Sequence, residues 1–261
     1  MIQFEQKQLT VFQSVLYQTT SAVLKTNEVI ILTDPNWLPT EVAAIKTYIN
    51  DVIGNRKLYI IYTHSDFDHI IAAGTFPEAT TIASEKFVNR TDKEKVLEQI
   101  LQFDAQYYVK RDYPIRYPEI DIVIREDAQT LTLGDTTLTF YLAPGHTEDG
   151  LFTVIEPYGI LFAGDYLSDV EFPFIDDFED YRKTLNKAQQ IVTKHDVHTL
   201  VPGHGMTTNC PQELALRIAQ SQRYLNDLNA GIDQESLLEQ QYPFYRGLKE
   251  LHEANMALIK K

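Results

Sequence analysis

The sequence predicts an α+β fold, in which β-sheets and helices pack together, and three observations support this prediction. Short segments rich in Val, Ile, Leu, Thr and Tyr recur as far as residue 201 and have strand composition. Between some of them, apolar residues recur every three or four positions, which is the spacing of an amphipathic helix. Several predicted strands end at a loop that carries His or Asp. Because a strand fixes such a loop while the loop exposes its side chains, these loops are candidate functional sites.

The first 84 residues are expected to form hairpins, one long helix and further strands. A turn signal at Thr26-Asn27 separates two strands, and Asp34-Pro35 ends the next because proline has no backbone donor. Gly54 ends the helix. The predicted elements are strands over residues 9–17, 21–25 and 28–33, a helix from 40 to 54, a strand over 57–62, a short helix over 70–74 and a strand over 80–84.

Residues 85–118 differ from their surroundings and are interpreted as a helical insertion. Apolar side chains have helical spacing over 92–110, and the irregular stretch 111–118 follows. The aromatic and Arg content of this region would suit a lid over a pocket. An aromatic stripe at helical spacing more often packs into a core, so both interpretations stay open.

Strand-like segments resume after residue 120, and helices complete the chain. No low-complexity or repeated segment separates the parts, so we expect a single domain over residues 1–261 with a helical C-terminal portion over 206–261. The predicted elements are strands over residues 122–125, 129–133, 137–142, 151–156 and 159–162, a helix over 180–193, a strand over 199–201, and C-terminal helices broken at Gly231 and near Pro243.

The composition is typical of a globular protein and narrows the class of partner. Hydrophobic residues make up 44% of the chain and charged residues 23%. The formal net charge of -14 disfavours nucleic acid and anionic membranes, so we expect a small-molecule substrate as the partner. The sequence leaves the oligomeric state open.

The same composition predicts a cytoplasmic location. The single cysteine, Cys210, excludes an intramolecular disulfide and favours a reducing compartment. Residues 1–10 lack the apolar core of a signal peptide, and no apolar run is long enough to span a bilayer.

One stretch, residues 64–69, concentrates four potential metal ligands directly after a predicted strand: His64, Asp66, Asp68 and His69. Imidazole and carboxylate groups suit zinc, manganese or iron. Side chains two residues apart in an extended segment point the same way, so we expect His64, Asp66 and Asp68 to converge and His69 to turn toward a second point. One cluster can therefore serve two adjacent cations.

Three later strands also end at a His or Asp beside glycine. His146 lies in Pro-Gly-His-Thr, Asp165 in Ala-Gly-Asp and His204 in Pro-Gly-His-Gly. Together with the H-x-D-x-D-H stretch, and in this order, these motifs resemble those of the metallo-β-lactamase superfamily of hydrolases over roughly residues 10–205. The resemblance implies a four-layer αββα sandwich of two mixed β-sheets with helices outside, which fits the order of elements above.

The resemblance also implies a dinuclear metal site and roles for its residues. Two divalent ions, expected to be zinc, would activate a shared water as hydroxide for attack on a small ester, thioester, lactone or phosphoester. Asp68 is expected to serve catalysis as well as metal binding, and Tyr166 follows Asp165 closely enough to approach a substrate oxygen. The implied ligands are His64, Asp66 and His146 for one ion and Asp68, His69 and His204 for the other, with Asp165 bridging both.

Asp66 departs from the family pattern, which usually has a second His at this position. A carboxylate is a harder ligand than imidazole, so it shifts the preference toward manganese or iron, or weakens the site. Two alternatives to a hydrolase stay open: an iron-dependent redox enzyme of the same superfamily, and a binding protein that has lost its metal. Asp34, which precedes Pro35, is expected either to orient the ligand-bearing loop or to form a turn.

Overall fold

Strands and helices alternate along the computed structural model, which describes residues 1–259. Within that range there are twelve strands and eight α-helices. The strands are β1 (Ile2–Glu5), β2 (Leu9–Gln13), β3 (Thr20–Lys25), β4 (Val29–Thr33), β5 (Lys57–Ile61), β6 (Thr80–Ser84), β7 (Ile122–Ile124), β8 (Gln129–Leu133), β9 (Thr136–Leu142), β10 (Leu151–Glu156), β11 (Ile160–Phe162) and β12 (Thr199–Val201). The helices are α1 (Pro39–Ile53), α2 (Phe67–Ile70), α3 (Glu85–Asn89), α4 (Lys93–Tyr107), α5 (Phe178–Lys194), α6 (Pro211–Asn229), α7 (Glu235–Gln241) and α8 (Tyr245–Ile259).

The strands form two mixed sheets. A seven-stranded sheet has the order β1-β2-β3-β4-β5-β6-β7, antiparallel from β1 to β4 and parallel from β4 to β7. A five-stranded sheet has the order β12-β11-β10-β9-β8, in which only the pair β11 and β12 is parallel among the described residues. Since β9 and β11 are both antiparallel to β10, the carboxyl ends of β9, β11 and β12 lie at the same edge of this sheet.

The layer between the two sheets is apolar. Leu9 and Ile31 from the seven-stranded sheet belong to the same buried cluster as Phe140, Ile155 and Phe162 from the five-stranded sheet. Successive residues of a strand face opposite sides, so the alternate positions of these strands are directed outward. Burying these side chains removes apolar surface from water, which is the main force that holds the sheets together.

Helices cover the outer face of each sheet. In β4, Ile30 packs in a second cluster with Ile45 of α1, and in β10, Val154 packs in a third cluster with Leu185 of α5 and Leu225 of α6. Both faces of the central strands are therefore buried, which explains their nearly continuous apolar sequences. The predicted four-layer αββα sandwich is confirmed.

Several observed elements differ from those predicted. The strand expected over residues 9–17 ends at Gln13, because the next residues form a turn in which Tyr17 and Gln18 have positive φ. The strand β1 was not predicted, since none of its four side chains is fully buried and its apolar signal is weak. The short helix expected over 70–74 begins at Phe67, which changes the geometry of the ligand-bearing stretch.

Part of the region over residues 85–118 packs into the core. Helix α4 buries Ile100, and Phe103 stacks on Trp37 with 4.6 Å between the ring centroids. The Arg111 guanidinium donates to the Trp37 carbonyl at 2.7 Å. The packing interpretation is therefore confirmed, whereas the description of this region as an insertion in a single domain stays our interpretation.

The C-terminal portion is helical, as predicted. Helices α6, α7 and α8 are separated near Gly231 and Pro243, where the sequence indicated breaks. Across residues 1–259, no helix has both the length and the apolar character that a membrane span requires.

The layer between the sheets provides a test of the fold. Ile31 has no exposed surface, so Ile31→Ala leaves a cavity and is expected to lower the free energy of unfolding by about 2–5 kcal/mol. Val15 is 74% exposed, and Val15→Ala is expected to change it by less than about 0.5 kcal/mol. Urea denaturation of both variants measures the difference, and equal losses would contradict the predicted layer.

Candidate metal centre

The seven predicted ligands come from both sheets. His64 and Asp66 follow β5, and Asp68 and His69 lie in α2. The other three residues follow the carboxyl ends of β9, β11 and β12, which lie at one edge of the five-stranded sheet: His146, Asp165 and His204. The fold thus brings together residues that are as far as 140 positions apart in the sequence.

The stretch from His64 to His69 is not extended throughout. Asp66 is the N-cap of α2, so Asp68 and His69 lie in a helical turn. The expectation that His64, Asp66 and Asp68 converge is therefore wrong for Asp68, because the period of two applies only to extended backbone. Asp68 instead groups with His69 and His204, while His64 and Asp66 group with His146.

The first group surrounds a point between His64, Asp66 and His146. The Asp66 Oδ2 atom lies 3.7 Å from His64 Nε2 and 3.5 Å from His146 Nε2. The Asp165 Oδ2 atom lies 3.5 Å and 3.2 Å from the same two nitrogens. Separations of this size leave room for one ion between the ligand atoms.

The second group shares Asp165 with the first. The Asp68 Oδ2 atom lies 3.6 Å from His69 Nε2 and 3.5 Å from His204 Nε2. The Asp165 carboxylate approaches the same imidazoles, with Oδ1 3.1 Å from His69 Nε2 and Oδ2 3.2 Å from His204 Nε2. Asp165 is thus the residue that adjoins both groups. These positions agree with the roles implied by the family resemblance, and metal binding by each residue stays a prediction.

Each imidazole uses Nδ1 for an outer hydrogen bond and directs Nε2 at the centre. His146 Nδ1 donates to the Phe174 carbonyl at 3.0 Å, and His204 Nδ1 donates to the Tyr17 carbonyl at 2.8 Å. His69 Nδ1 lies 3.1 Å from the Asp34 carboxylate. Such outer partners fix the tautomer that leaves a lone pair on Nε2, the form that binds a metal.

Asp34 organises the start of the ligand-bearing loop. Its Oδ1 accepts the Thr63 backbone N–H at 2.8 Å, and its Oδ2 accepts the Thr63 hydroxyl at 2.6 Å. Because the single hydroxyl proton of Thr63 is donated to Asp34, the hydroxyl oxygen accepts from His64 Nδ1 at 3.0 Å. One carboxylate therefore orients His69 directly and His64 through Thr63, and the first of the two expectations for Asp34 is confirmed.

The residues present fit divalent cations. Three carboxylates lie together, and like charges at this separation repel strongly unless a positive charge lies between them. The Nε2 atoms of His64 and His146 are buried and have no hydrogen-bond partner within the described part of the chain. Imidazole nitrogen and carboxylate oxygen are the donors that zinc, manganese and iron accept.

The pKa values of the cluster reflect the same charges. Burial lowers the pKa of His69 and of His146, but neighbouring carboxylates, Asp165 foremost, outweigh burial and raise both above the usual value. The pKa of His204 is raised to about 10 against the effect of burial, chiefly by Asp165. Burial raises the pKa of Asp165, but His204 and the other imidazoles hold it well below its usual range. Protons therefore occupy the cluster when no cation does.

Gly203 is required by the close approach of the β12 loop to Asp165. A Cβ atom at this position would lie 2.2 Å from Asp165 Oδ1 and 2.9 Å from the Gly164 carbonyl carbon. Any side chain would displace the carboxylate that adjoins both groups. Glycine, which has no Cβ atom, permits this close approach.

The expectation that Tyr166 approaches a substrate oxygen is wrong. The residue is 2% exposed, and its ring packs 4.4 Å from that of Tyr181. Its hydroxyl donates to the Pro144 carbonyl at 2.7 Å and accepts the His146 backbone N–H at 3.1 Å. Burial also raises the pKa of Tyr166. Tyr166 therefore positions the loop that carries His146.

Sequence reasoning missed two charged residues beside the centre. Glu171 lies in the long loop after β11, with Oε1 3.7 Å from His204 Nδ1, and burial raises its pKa to about 7. Arg90 donates from Nη1 to the Ser65 hydroxyl at 2.7 Å and lies 3.9 Å from Asp66. No motif marks either residue, because both reach the centre from irregular segments whose course the sequence does not specify.

Comparison with known proteins agrees with this fold. The family model of the metallo-beta-lactamase superfamily matches residues 16–204 of the chain. The acyl-coenzyme A thioesterase MBLAC2 from Gallus gallus is 23% identical over 162 residues, which are 59% of this chain and 58% of that protein. The chain thus spans less than two thirds of the length of that relative.

Two solved structures illustrate the likeness. The archaeal metallo-beta-lactamase superfamily protein ST1585 from Sulfolobus tokodaii has a TM-score of 0.59 at 20% identity, covering 83% of this chain and 86% of that one. The rubredoxin oxygen:oxidoreductase from Desulfovibrio gigas has a TM-score of 0.59 at 14% identity, covering 87% of this chain and 62% of that one. At these identities the likeness shows the fold alone.

The protonated cluster predicts that metal binding releases protons. Because the pKa values of His69, His146 and His204 lie above the usual value, an ion must displace protons at pH 7. The affinity for Zn²⁺ should therefore fall as the pH is lowered, by roughly tenfold per pH unit for each proton displaced. Calorimetric titration of the chelator-treated protein with Zn²⁺ in buffers of different ionisation enthalpy measures the proton count. A binding enthalpy independent of the buffer would contradict the prediction.

The role of Asp34 predicts a loss of metal affinity without a loss of fold. Asp34→Ala removes the acceptor for Thr63 and His69 and is expected to weaken Zn²⁺ binding by about 10–100-fold. Competition with a chromogenic chelator measures the affinity, and circular dichroism checks the fold. Asp51→Ala, at an exposed position of α1, is the matched control and should bind Zn²⁺ like the unaltered protein.

Proposed function

The chain belongs to the metallo-β-lactamase superfamily, and from that premise we propose that it is a metal-dependent hydrolase of small esters, thioesters or lactones. The observation that carries this proposal is the convergence of four imidazole Nε2 atoms and three carboxylates at one buried point. A set of this composition is suited to two divalent ions that share one bridging carboxylate.

We assign the seven residues to two ions. His64, Asp66 and His146 would hold one ion, Asp68, His69 and His204 would hold the other, and Asp165 would bridge them. Zinc suits the imidazole-rich donor set, while Asp66 makes manganese or iron acceptable at the first position. Bound ions of this kind polarise a substrate carbonyl and lower the pKa of water to near neutral.

Residues around the centre hold the proposed metal ligands in position. Asp34 and Thr63 hold the imidazoles of His64 and His69, so the ligand atoms need little reorganisation when substrate arrives. Tyr166 does the same for the loop of His146. The Asp66 side chain is 37% exposed, which makes it the part of the centre most open to substrate and water.

Hydrolysis requires one proton transfer to the leaving atom. The acyl carbon gains the oxygen of a water molecule, the bond from that carbon to the leaving oxygen or sulfur breaks, and the leaving atom gains a proton from the water. We assign this proton transfer to the Asp68 carboxylate, which is buried beside His69 and His204.

Two observations favour a small acyl compound as the substrate. The relative from Gallus gallus is named as an acyl-coenzyme A thioesterase, which favours an acyl substrate over a phosphoester. The net charge of -14 disfavours nucleic acid and other large polyanions. A small acyl ester, thioester or lactone satisfies both.

An iron-dependent redox enzyme is the second candidate. Asp66 favours it, since a carboxylate beside imidazoles is a donor set that iron accepts. The similarity of fold to the oxidoreductase from Desulfovibrio gigas does not bear on activity. Elemental analysis and oxygen consumption discriminate the two, because a hydrolase turns over fully without oxygen. A binding protein without metal would show no change in stability on chelation.

Loss of a ligand predicts loss of hydrolysis. Removal of a side chain that hydrogen-bonds to a metal ligand typically lowers activity by roughly 10–100-fold. Removal of a ligand itself, in His69→Ala or Asp165→Ala, should lower kcat/KM for the best ester by more than that. The fold should persist, because the core layers do not depend on these side chains. His198→Ala, at an exposed loop position, is the matched control.

Chelation tests the same proposal without mutation. Dialysis against a chelator should abolish hydrolysis of an ester, thioester and lactone panel, and added Zn²⁺ or Mn²⁺ should restore it. Activity that survives both chelation and ligand substitution would contradict a metal-dependent mechanism.

A further inference from the structure

A cavity of about 460 Å³ opens beside Asp66, and its lining is mainly acidic. We call it the acidic cavity. Two basic side chains, Lys86 and Arg90, also line it among the described residues. Its carboxylates are Asp66, Glu85, Asp92, Glu148, Asp149 and Asp176.

Ion pairs neutralise part of this lining. Lys86 pairs with Glu148, Arg90 Nε donates to Asp92 at 2.8 Å, and Glu85 pairs with an arginine outside the cavity at 3.1 Å. The remaining carboxylates are those of Asp66, Asp149 and Asp176, and Arg90 lies no nearer than 3.9 Å to Asp66. The cavity therefore keeps an excess of negative charge.

Asp149 is the most informative of these residues. It is 5% exposed, and neither oxygen of its carboxylate has a hydrogen-bond partner anywhere in residues 1–259. Thr147, also in the cavity wall, is 6% exposed and has a hydroxyl that lacks a partner over the same range. Burial of a carboxylate without a hydrogen-bond partner lowers the stability of the fold. Groups of this kind therefore usually bind a ligand or serve a function.

The remaining carboxylates also act on one another. Burial raises the pKa of Asp176, and the charges of Asp66 and Asp149 add to that rise against the opposing effects of His146 and Arg90. A positively charged donor would relieve this repulsion and supply the missing hydrogen bonds at once.

We propose that the acidic cavity binds an alkylammonium group of the substrate, with Asp149 and Asp176 as its acceptors. An organic cation is favoured over a metal ion, because neither residue belongs to a close group of His and acidic side chains in the described part of the chain. An ammonium group also brings N–H donors for the unpartnered oxygens. A phosphate-bearing carrier is disfavoured by the same charge.

Asp66 connects this cavity to the proposed reaction. It lines the cavity and also lies 3.5 Å from His146 Nε2 in the metal centre. An ammonium group in the cavity would therefore be on the same substrate molecule as a carbonyl held beside Asp66 at the centre. This inference rests on the proposed hydrolytic function and narrows it to esters, thioesters or lactones that carry a protonated amine.

Two esters of similar shape test the preference. At pH 7, 2-(dimethylamino)ethyl butyrate carries a protonated tertiary amine, whereas 3-methylbutyl butyrate is its neutral counterpart. Because the ammonium group also activates the ester chemically, the measured quantity is the ratio of the two kcat/KM values and its change on mutation. Asp149→Asn should lower this ratio by about tenfold, the effect of losing one charged hydrogen bond.

The control variants separate a local effect from a general one. Asp176→Asn should lower the ratio in the same direction and serves as the second test if Asp149→Asn does not fold. Asp51→Asn, at an exposed position of α1, should leave the ratio unchanged. An unchanged ratio in a folded Asp149→Asn or Asp176→Asn variant would overturn the proposal.

A binding measurement tests the acidic cavity without requiring that the protein hydrolyse either ester. Saturation-transfer NMR on the metal-loaded protein should detect n-butylammonium but not n-butanol, and Asp149→Asn or Asp176→Asn should weaken the signal. If neither these esters nor the ester, thioester and lactone panel is hydrolysed but n-butylammonium binds in this way, the hydrolase proposal fails and the cavity assignment stands. If the esters are hydrolysed with no selective binding of n-butylammonium, the cavity assignment fails alone.

Discussion

The mutual repulsion of three carboxylates is the constraint on which the centre depends. Asp66 lies near two of the imidazoles, Asp68 lies near the other two, and Asp165 adjoins all four. The three carboxylates are tolerated only because positive charge lies between them. Protons on the imidazoles can supply that charge, as the raised pKa values of His69 and His146 indicate. Divalent ions would supply it more strongly. The repulsion that destabilises the cluster without a cation would also favour the binding of one.

The fold tolerates the repulsion between these carboxylates because the ligands are attached to two rigid sheets. Three of the motifs follow strands whose carboxyl ends lie at one edge of the five-stranded sheet, and the fourth follows β5 of the other sheet. The apolar layer between the sheets fixes the distance between these edges. Two further residues fix the positions of the ligand side chains. Asp34 orients the imidazoles of His64 and His69, and Gly203 leaves space for the Asp165 carboxylate.

The sequence predicted what depends on regular local structure and missed what depends on irregular segments. The four-layer sandwich and the joining of seven distant ligands were implied by the family resemblance that the motifs carry, and the order of elements expected from strand composition agreed with the sandwich. The convergence of Asp68 with His64 and Asp66, expected from extended backbone, was wrong because a helical turn begins at Phe67. Tyr166 was misassigned because proximity in sequence to Asp165 does not set the direction of a side chain, which here is buried. Glu171 and Asp149 gain their environments from long-range packing, to which no local pattern corresponds.

Asp66 connects the two features of the site that the family pattern does not explain. A histidine at this position would give the first ion a neutral ligand, whereas the carboxylate adds negative charge at the boundary between the centre and the acidic cavity. A carboxylate is a harder metal ligand than imidazole, so it would favour harder metal ions. Its negative charge would also attract a cation to the cavity. The 37% exposure of the Asp66 side chain lets it face both environments. Under the roles proposed for the centre and the cavity, the preference for a metal and the preference for a substrate would be coupled through one residue, and a change at Asp66 would alter both together.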